Sequence, residues 1–224
     1  GNPQDGGFER LRTLSLEGRC SAQSLAAFVE DRVNSYWQEA GQPGQPTTVF
    51  TSTLPRALAS VCCSGIELEQ TSALNPIDHG VVGEGWWDVE CHDDMPPWKE
   101  VALNDPKFWE SFNRDPLHCR FPGGESYLDV LRRLESLIVQ VEMCTRPVLI
   151  VSHITVLQLL LAYFRGTPVE EAWKTTVPKN IVFEVVPSLG GSSLCTMHTL
   201  SPYSAPYQTE ATQMNWEEDR TSGL

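Results

Sequence analysis

Two strand-to-helix junctions and one glycine-rich turn hold the residues of this chain best suited to chemistry. In Thr51-Ser52-Thr53-Leu54-Pro55-Arg56 an arginine stands one helical turn beyond a β-branched run. In Val148-Leu149-Ile150-Val151-Ser152-His153 an imidazole closes a continuous apolar run. The third stretch, Phe121-Pro122-Gly123-Gly124-Glu125-Ser126-Tyr127, opens a long amphipathic segment. Anions collect where strand C-termini meet helix N-termini, because free N–H groups point there. An arginine and a histidine converging at such an edge suit a phosphoryl group, clamped bidentately by the guanidinium with added positive charge from the imidazole. Taken singly, Arg56 also reads as a helix-surface arginine and His153 as a capped core histidine.

The elements around these residues read as follows. From Ser15 a helix is expected, with Leu25, Phe28, Val29, Val33 and Trp37 on one face. A loop at 41–45 precedes a short β-branched strand, Thr47–Thr51. Ser52 is expected to cap the next helix, with Pro55 in its first turn and Leu54, Leu58 and Val61 on its buried face. Residues 75–123 read as an irregular, aromatic-packed insertion around Trp86, Trp87, Trp98 and Trp109, with a short helix near 107–112. Glu125–Glu142 is the clearest helix, with Tyr127, Val130, Leu134, Leu137, Ile138 and Val141 in one stripe and Asp129–Arg133 as an i,i+4 pair. Val148–Ser152 reads as a buried parallel strand and Ile154–Phe164 as an apolar helix stopping near Gly166. Ile181–Val186 and Leu194–Leu200 read as a hairpin about Gly190-Gly191. The sum is an α/β protein with a mainly parallel sheet. Residues 1–12 read as irregular, 13–200 as the domain, and 201–224 as a loose acidic tail.

Composition narrows the function classes. The net charge of −13 over 224 residues disfavours binding to nucleic acid or anionic lipid. The longest apolar run is about half a membrane span, so no membrane partner is expected. Seven cysteines without a CxxC, and no Asn-x-Ser/Thr sequon, read as free thiols in a cytoplasmic protein. The acidic run Glu84, Asp88, Glu90, Asp93, Asp94 with Cys91, His79 and His92 has no spacing suited to a metal, and no cofactor is expected.

In combination, the stretches Leu14–Gly18, Thr51–Arg56, Ala73–Gly80, Phe121–Tyr127 with Arg133-Leu134-Glu135, and Val148–His153 with Leu160–Phe164 resemble the histidine phosphatase (phosphoglycerate mutase-like) superfamily. The likeness is strongest to the phosphatase domain of the bifunctional 6-phosphofructo-2-kinase/fructose-2,6-bisphosphatases and covers about residues 13–200. It implies a three-layer fold, a parallel sheet flanked by helices. It also implies a phosphohistidine mechanism, in which a histidine of an Arg-His-Gly motif attacks phosphorus and a glutamate protonates the leaving oxygen. On this likeness Arg56 is the second arginine and His153 the second histidine that hold the phosphoryl oxygens, while Tyr127 and Arg114 fall at sugar-phosphate positions.

The chain departs from that pattern at its centre. No Arg-His-Gly occurs in it; His79-Gly80 follows an aspartate in the wrong segment. Where the family has Asn-Glu-Ile-Asp, this chain has Asn75-Pro76-Ile77-Asp78, so the proton donor is replaced by Pro76. Gln158 stands where the bisphosphatases carry an arginine, and Trp87 where a tyrosine is expected. Glu84, Asp78 or Asp88 is a substitute acid in one reading and a solvated loop carboxylate in the plainer one. The first strand is missing from the matched pattern, and the expectation is that it lies upstream of Gly1.

The expected function is a catalytically degenerate fructose-2,6-bisphosphatase-like domain. It would bind a phosphorylated sugar (fructose 2,6-bisphosphate or fructose 6-phosphate) or serve a regulatory role beside a linked kinase domain. An active phosphatase with its nucleophile strand upstream, and an interaction module built on the Trp-rich loop, remain as alternatives.

Overall fold

The structure, a computed structural model, describes residues 14–61, 66–80, 105–186 and 193–200, together with the backbone of 209–213. Helix α1 (Leu16–Glu39) starts at Ser15, whose Oγ accepts the Gly18 N–H at 3.1 Å. It buries Phe28, Val29 and Trp37, as the 3.6-residue spacing requires. Strand β1 (Thr47–Thr51) follows and is buried along its whole length. It lies between β2 (Ile66–Gln70) and β3 (Val148–Val151), parallel to both. A central strand covered on both faces accounts for five consecutive buried residues.

Side chains of β3 show how the layers are arranged. Val148 and Ile150 pack on one core with Phe50, and Leu149 packs on the other with Phe28 and Val29. One face of the parallel sheet therefore rests on α1. The other meets the larger core of α3 (Pro106–Arg114), α4 (Tyr127–Met143) and α5 (Ile154–Arg165). Between β1 and β2 runs the short helix α2 (Pro55–Ser60). A second sheet, β4 (Ile181–Val186), β5 (Leu194–Leu200) and β6 (Thr209–Gln213), is antiparallel throughout. Among the described residues, neither β3 nor β4 pairs along its second edge. Helix α1 spans both sheets: its patch of Phe28 and Val29 touches Leu149 of β3 and Val182 of β4.

Most elements stand where the sequence placed them, and the departures have local causes. Ser52 does not cap α2. The N-cap is Leu54, which has no capping side chain; Ser52 Oγ accepts the Leu54 N–H at 3.3 Å from two residues upstream. Ala57, Ala59 and Val61 form the buried side of α2, with Leu54 and Leu58 only half-buried. Asp129 does not pair with Arg133. Its carboxylate closes a capping box with Ser126 and meets Arg120 at 2.6 Å, because the N3 position of α4 faces the helix start. The strand β3 is half-buried rather than fully buried, consistent with its pairing on one edge.

Strand β2 and the 3₁₀ turns Ser72–Leu74 and Val169–Lys174 are additions to the sequence reading. So is β6, which makes part of the expected loose tail a sheet strand. Trp86, Trp87 and Trp98 lie outside the described residues, whereas Trp109 packs on the larger core. No helix among the described residues is long and apolar enough to cross a membrane.

Candidate functional site

Parallel pairing of β1 with β3 brings their C-terminal ends side by side, Thr51 opposite Val151. The residues that follow each strand therefore meet. Ser52 and His153 are both buried, and Ser52 Oγ lies 2.9 Å from His153 Nε2. On the other side of the ring, an Arg56 Nη2 stands 3.4 Å from Nδ1. A guanidinium only donates, so Nδ1 faces it with its lone pair and the ring proton resides on Nε2, where Ser52 Oγ accepts it. Burial, then the charges of Arg56 and Arg133, push the His153 pKa down to about 4. The resting imidazole is neutral at pH 7.

A strap of residues 71–80 crosses beside this pair and is fastened from three sides. The turn after β1 holds it through Asn75 Oδ1, which accepts from Thr53 N at 3.0 Å and Thr53 Oγ1 at 2.9 Å. The turn after β3 holds it through Ser152 Oγ, which donates to the Leu74 carbonyl at 2.8 Å. From α4, Arg133 donates to the carbonyls of Ser72, Ala73, Asn75 and Pro76. The far end docks on the Phe121–Glu125 turn: Glu125 N donates to the Asp78 carbonyl at 2.8 Å, and Asp78 N to Glu125 Oε2 at 3.0 Å. Here the backbones touch so closely that a Cβ on Gly80 would lie 2.2 Å from the Pro122 carbonyl oxygen.

Of the residues singled out from sequence, His153 and Arg56 come together. Tyr127 is buried at the start of α4 and hydrogen-bonds the side chain of Thr155, two residues past His153. Burial raises its phenol pKa, with the Thr155 bond opposing. Arg114 instead pairs with Glu110 at 3.0 Å on the exposed side of α3. Pro76 sits in the strap and offers a carbonyl, already bonded to Arg133 at 3.1 Å. Gln158 is buried in α5, its Nε2 donating to the carbonyls of Trp173 and Thr175 at 3.2 and 2.8 Å. Trp87 lies outside the described residues, as do Glu84 and Asp88. Among the described residues, no cluster of three His, Cys, Asp or Glu side chains could hold a metal ion.

Sequence reading missed Ser52 as the partner of the imidazole, Ser152 and Asn75 as fasteners, and Arg133 as a hub. The first three lie within or beside the motifs already noticed. Arg133 also stood in a noticed stretch, Arg133-Leu134-Glu135, but its role as a hub was not readable there, since its carbonyl acceptors lie 57 to 61 residues away.

An anion could enter this arrangement between a guanidinium and a neutral imidazole at two adjacent strand ends. The chain is 35% identical over 179 residues to a 6-phosphofructo-2-kinase/fructose-2,6-bisphosphatase of Arabidopsis thaliana, covering 80% of this chain and 22% of that one. It is 33% identical over 174 residues to human 6-phosphofructo-2-kinase/fructose-2,6-bisphosphatase 4, covering 78% of this chain and 32% of that one. The chain thus spans less than a third of the length of these relatives. Among solved structures it is similar in fold to Bacillus stearothermophilus YhfR, with a TM-score of 0.55 at 20% identity over 90% of this chain and 85% of that one. A mycobacterial glucosyl-3-phosphoglycerate phosphatase solved with inorganic phosphate gives a TM-score of 0.53 at 19% identity, over 90% and 86%. The family profile of the histidine phosphatase superfamily (branch 1) matches residues 14–196. With its parallel-sheet fold and its paired strand-end residues, the chain belongs to the histidine phosphatase superfamily.

Proposed function

We propose that this chain is a catalytically degenerate fructose-2,6-bisphosphatase-like domain whose remaining role is to bind a phosphorylated sugar and report it to a linked kinase domain. The observation that carries the reading is the pairing of Arg56 with His153 beside a strap whose acid position is Pro76. Cation and imidazole for the phosphoryl oxygens are retained, while a leaving alkoxide finds no acid at position 76. Gln158 adds support. In place of the family's arginine it supplies an uncharged amide whose N–H groups are spent on two carbonyls. A charge-assisted contact to phosphate contributes about 1.5–3 kcal/mol, so a missing cation weakens a bisphosphate more than a monophosphate.

The test is calorimetric titration of the full-length protein with fructose 6-phosphate and fructose 2,6-bisphosphate, alongside a phosphate-release assay. Binding that vanishes in Arg56→Ala, without turnover, is the expected result. Hydrolysis at rates typical of the family, abolished by His153→Ala, would overturn the degeneracy.

One observation favours a second reading, an active phosphatase completed by a further strand. The inner edges of β3 and β4 carry no strand pairing among the described residues, although α1 spans both. A strand between them would end beside His153, where the family carries its nucleophile. The same hydrolysis assay separates the two readings.

A further inference from the structure

All five N–H groups of Arg133 are engaged. Its Nε donates to Glu125 Oε1 at 3.0 Å, and Nη2 reaches Glu125 Oε2 at 3.3 Å, the Asn75 carbonyl at 2.7 Å and the Pro76 carbonyl at 3.1 Å. Its Nη1 donates to the carbonyls of Ser72 and Ala73. Four converging carbonyls would repel one another without a cation among them, and a planar fork suits them better than a point charge. The pair with Glu125 is half-buried, and Glu125 in turn receives the Asp78 N–H, so one ion pair governs the course of the strap from Ser72 to Asp78.

The strap is the piece that couples the two anion-binding turns. It bonds Thr53 on the turn that leads to Arg56, and Ser152 on the turn that leads to His153. We propose that Arg133, oriented by Glu125, is a positioning residue: through the strap it sets the spacing of Arg56 and His153 that admits a phosphate group. The inference rests on the anion-binding reading given above. Arg133 touches no reacting atom in it and acts at a distance, by geometry.

Charge and geometry separate in Arg133→Lys, which keeps the positive charge and loses the fork. The full-length protein and this variant are compared by NMR titration of the His153 imidazole in phosphate-free buffer and by titration with inorganic phosphate. Arg56, Arg133 and the Ser52 hydroxyl are the groups that act on that ring. In the variant we expect the His153 midpoint to rise by about half a pH unit or more and phosphate affinity to fall about fivefold or more, because a loosened strap relaxes the burial and spacing of the ring. A midpoint and an affinity both equal to those of the parent would overturn the proposal, leaving Arg133 as a source of charge alone. Glu125→Gln, which keeps the shape of the clamp and removes its charge, repeats the test should the lysine variant fail to fold. If the parent itself binds no phosphate, the proposed function falls, and the His153 midpoints alone decide the role of Arg133.

Discussion

Arg56 and His153 are 97 residues apart in sequence and face each other at 3.4 Å, guanidinium to Nδ1. Each is the first charged or titratable side chain beyond its strand, and the two strands are neighbours in register. The contact is thus a consequence of parallel pairing. It also leaves a buried histidine in its neutral form with a cation on one side and a hydroxyl on the other.

That histidine makes stability depend on pH in one direction. In the unfolded chain it titrates near 6.5, and in the folded one at about 4. Between these values the unfolded state binds more protons, so stability rises with pH there and is lost as pH falls from 6.5 toward 4. For a residue only 6% exposed, the full effect is about 3 kcal/mol. Urea unfolding between pH 7 and 4 measures it, and His153→Gln should flatten this part of the slope.

Sulfate, a dianion throughout this pH range that can stand for the phosphoryl group, should bind with uptake of a proton. A dianion beside Nδ1 stabilises imidazolium and releases Arg56 from its contact with the ring, so affinity should increase as pH falls from 7 toward 5.5. Calorimetry in buffers of differing ionisation enthalpy reads the protons directly. Phosphate at a hundred times its dissociation constant should stabilise the fold by about 2.7 kcal/mol, a gain absent from Arg56→Ala.

Gly80→Ala and Gly124→Ala should each disrupt the docking of the strap. A Cβ at Gly80 would lie 2.2 Å from the Pro122 carbonyl oxygen, and Gly80 has φ +53°; one at Gly124 would lie 2.2 Å from the Asp78 carbonyl oxygen. Backbone must shift in both, and we expect a loss of about 2 kcal/mol or more in each. Thermal melts give the magnitude, and the amide shifts of Asp78 and Glu125 give the location.

Ser126→Ala should remove one half of the capping box at α4, the bond that Ser126 Oγ accepts from Asp129 N at 3.2 Å, and leave the other, which Asp129 Oδ2 accepts from the backbone N–H of residue 126 at 2.8 Å. Loss of such a cap costs about 1 kcal/mol, with Asp129 kept partly in place by Arg120. Chemical denaturation checks the value.

The sequence made the elements flanking the site legible because their signals are local. Thr47–Thr51 is a β-branched run, and the stripe from Tyr127 to Ile138 repeats with helical period. Strand β2 was legible in principle, since Ile66-Glu67-Leu68-Glu69 alternates, but its two glutamates mask a short strand of low β propensity. Ser52 was misread because serine ahead of a helix suggests a cap, whereas two further residues intervene and its hydroxyl serves an imidazole instead. Asp129 and Arg133 have the spacing of a helix pair, yet each finds a stronger partner outside the helix. Such choices depend on where distant backbone arrives, which periodicity does not encode.

Helix α1 has a consequence of a mechanical kind. Hydrogen bonds hold each sheet together from within, while Phe28 and Val29 rest on Leu149 and Val182 of both, and Arg32 of the same helix grips Glu184 on β4. The helix is therefore a plate laid across a seam, where apolar contact, which is non-directional, resists separation of the two sheets. One helix thus ties the antiparallel sheet to the half that carries Arg56 and His153, by side-chain contacts alone.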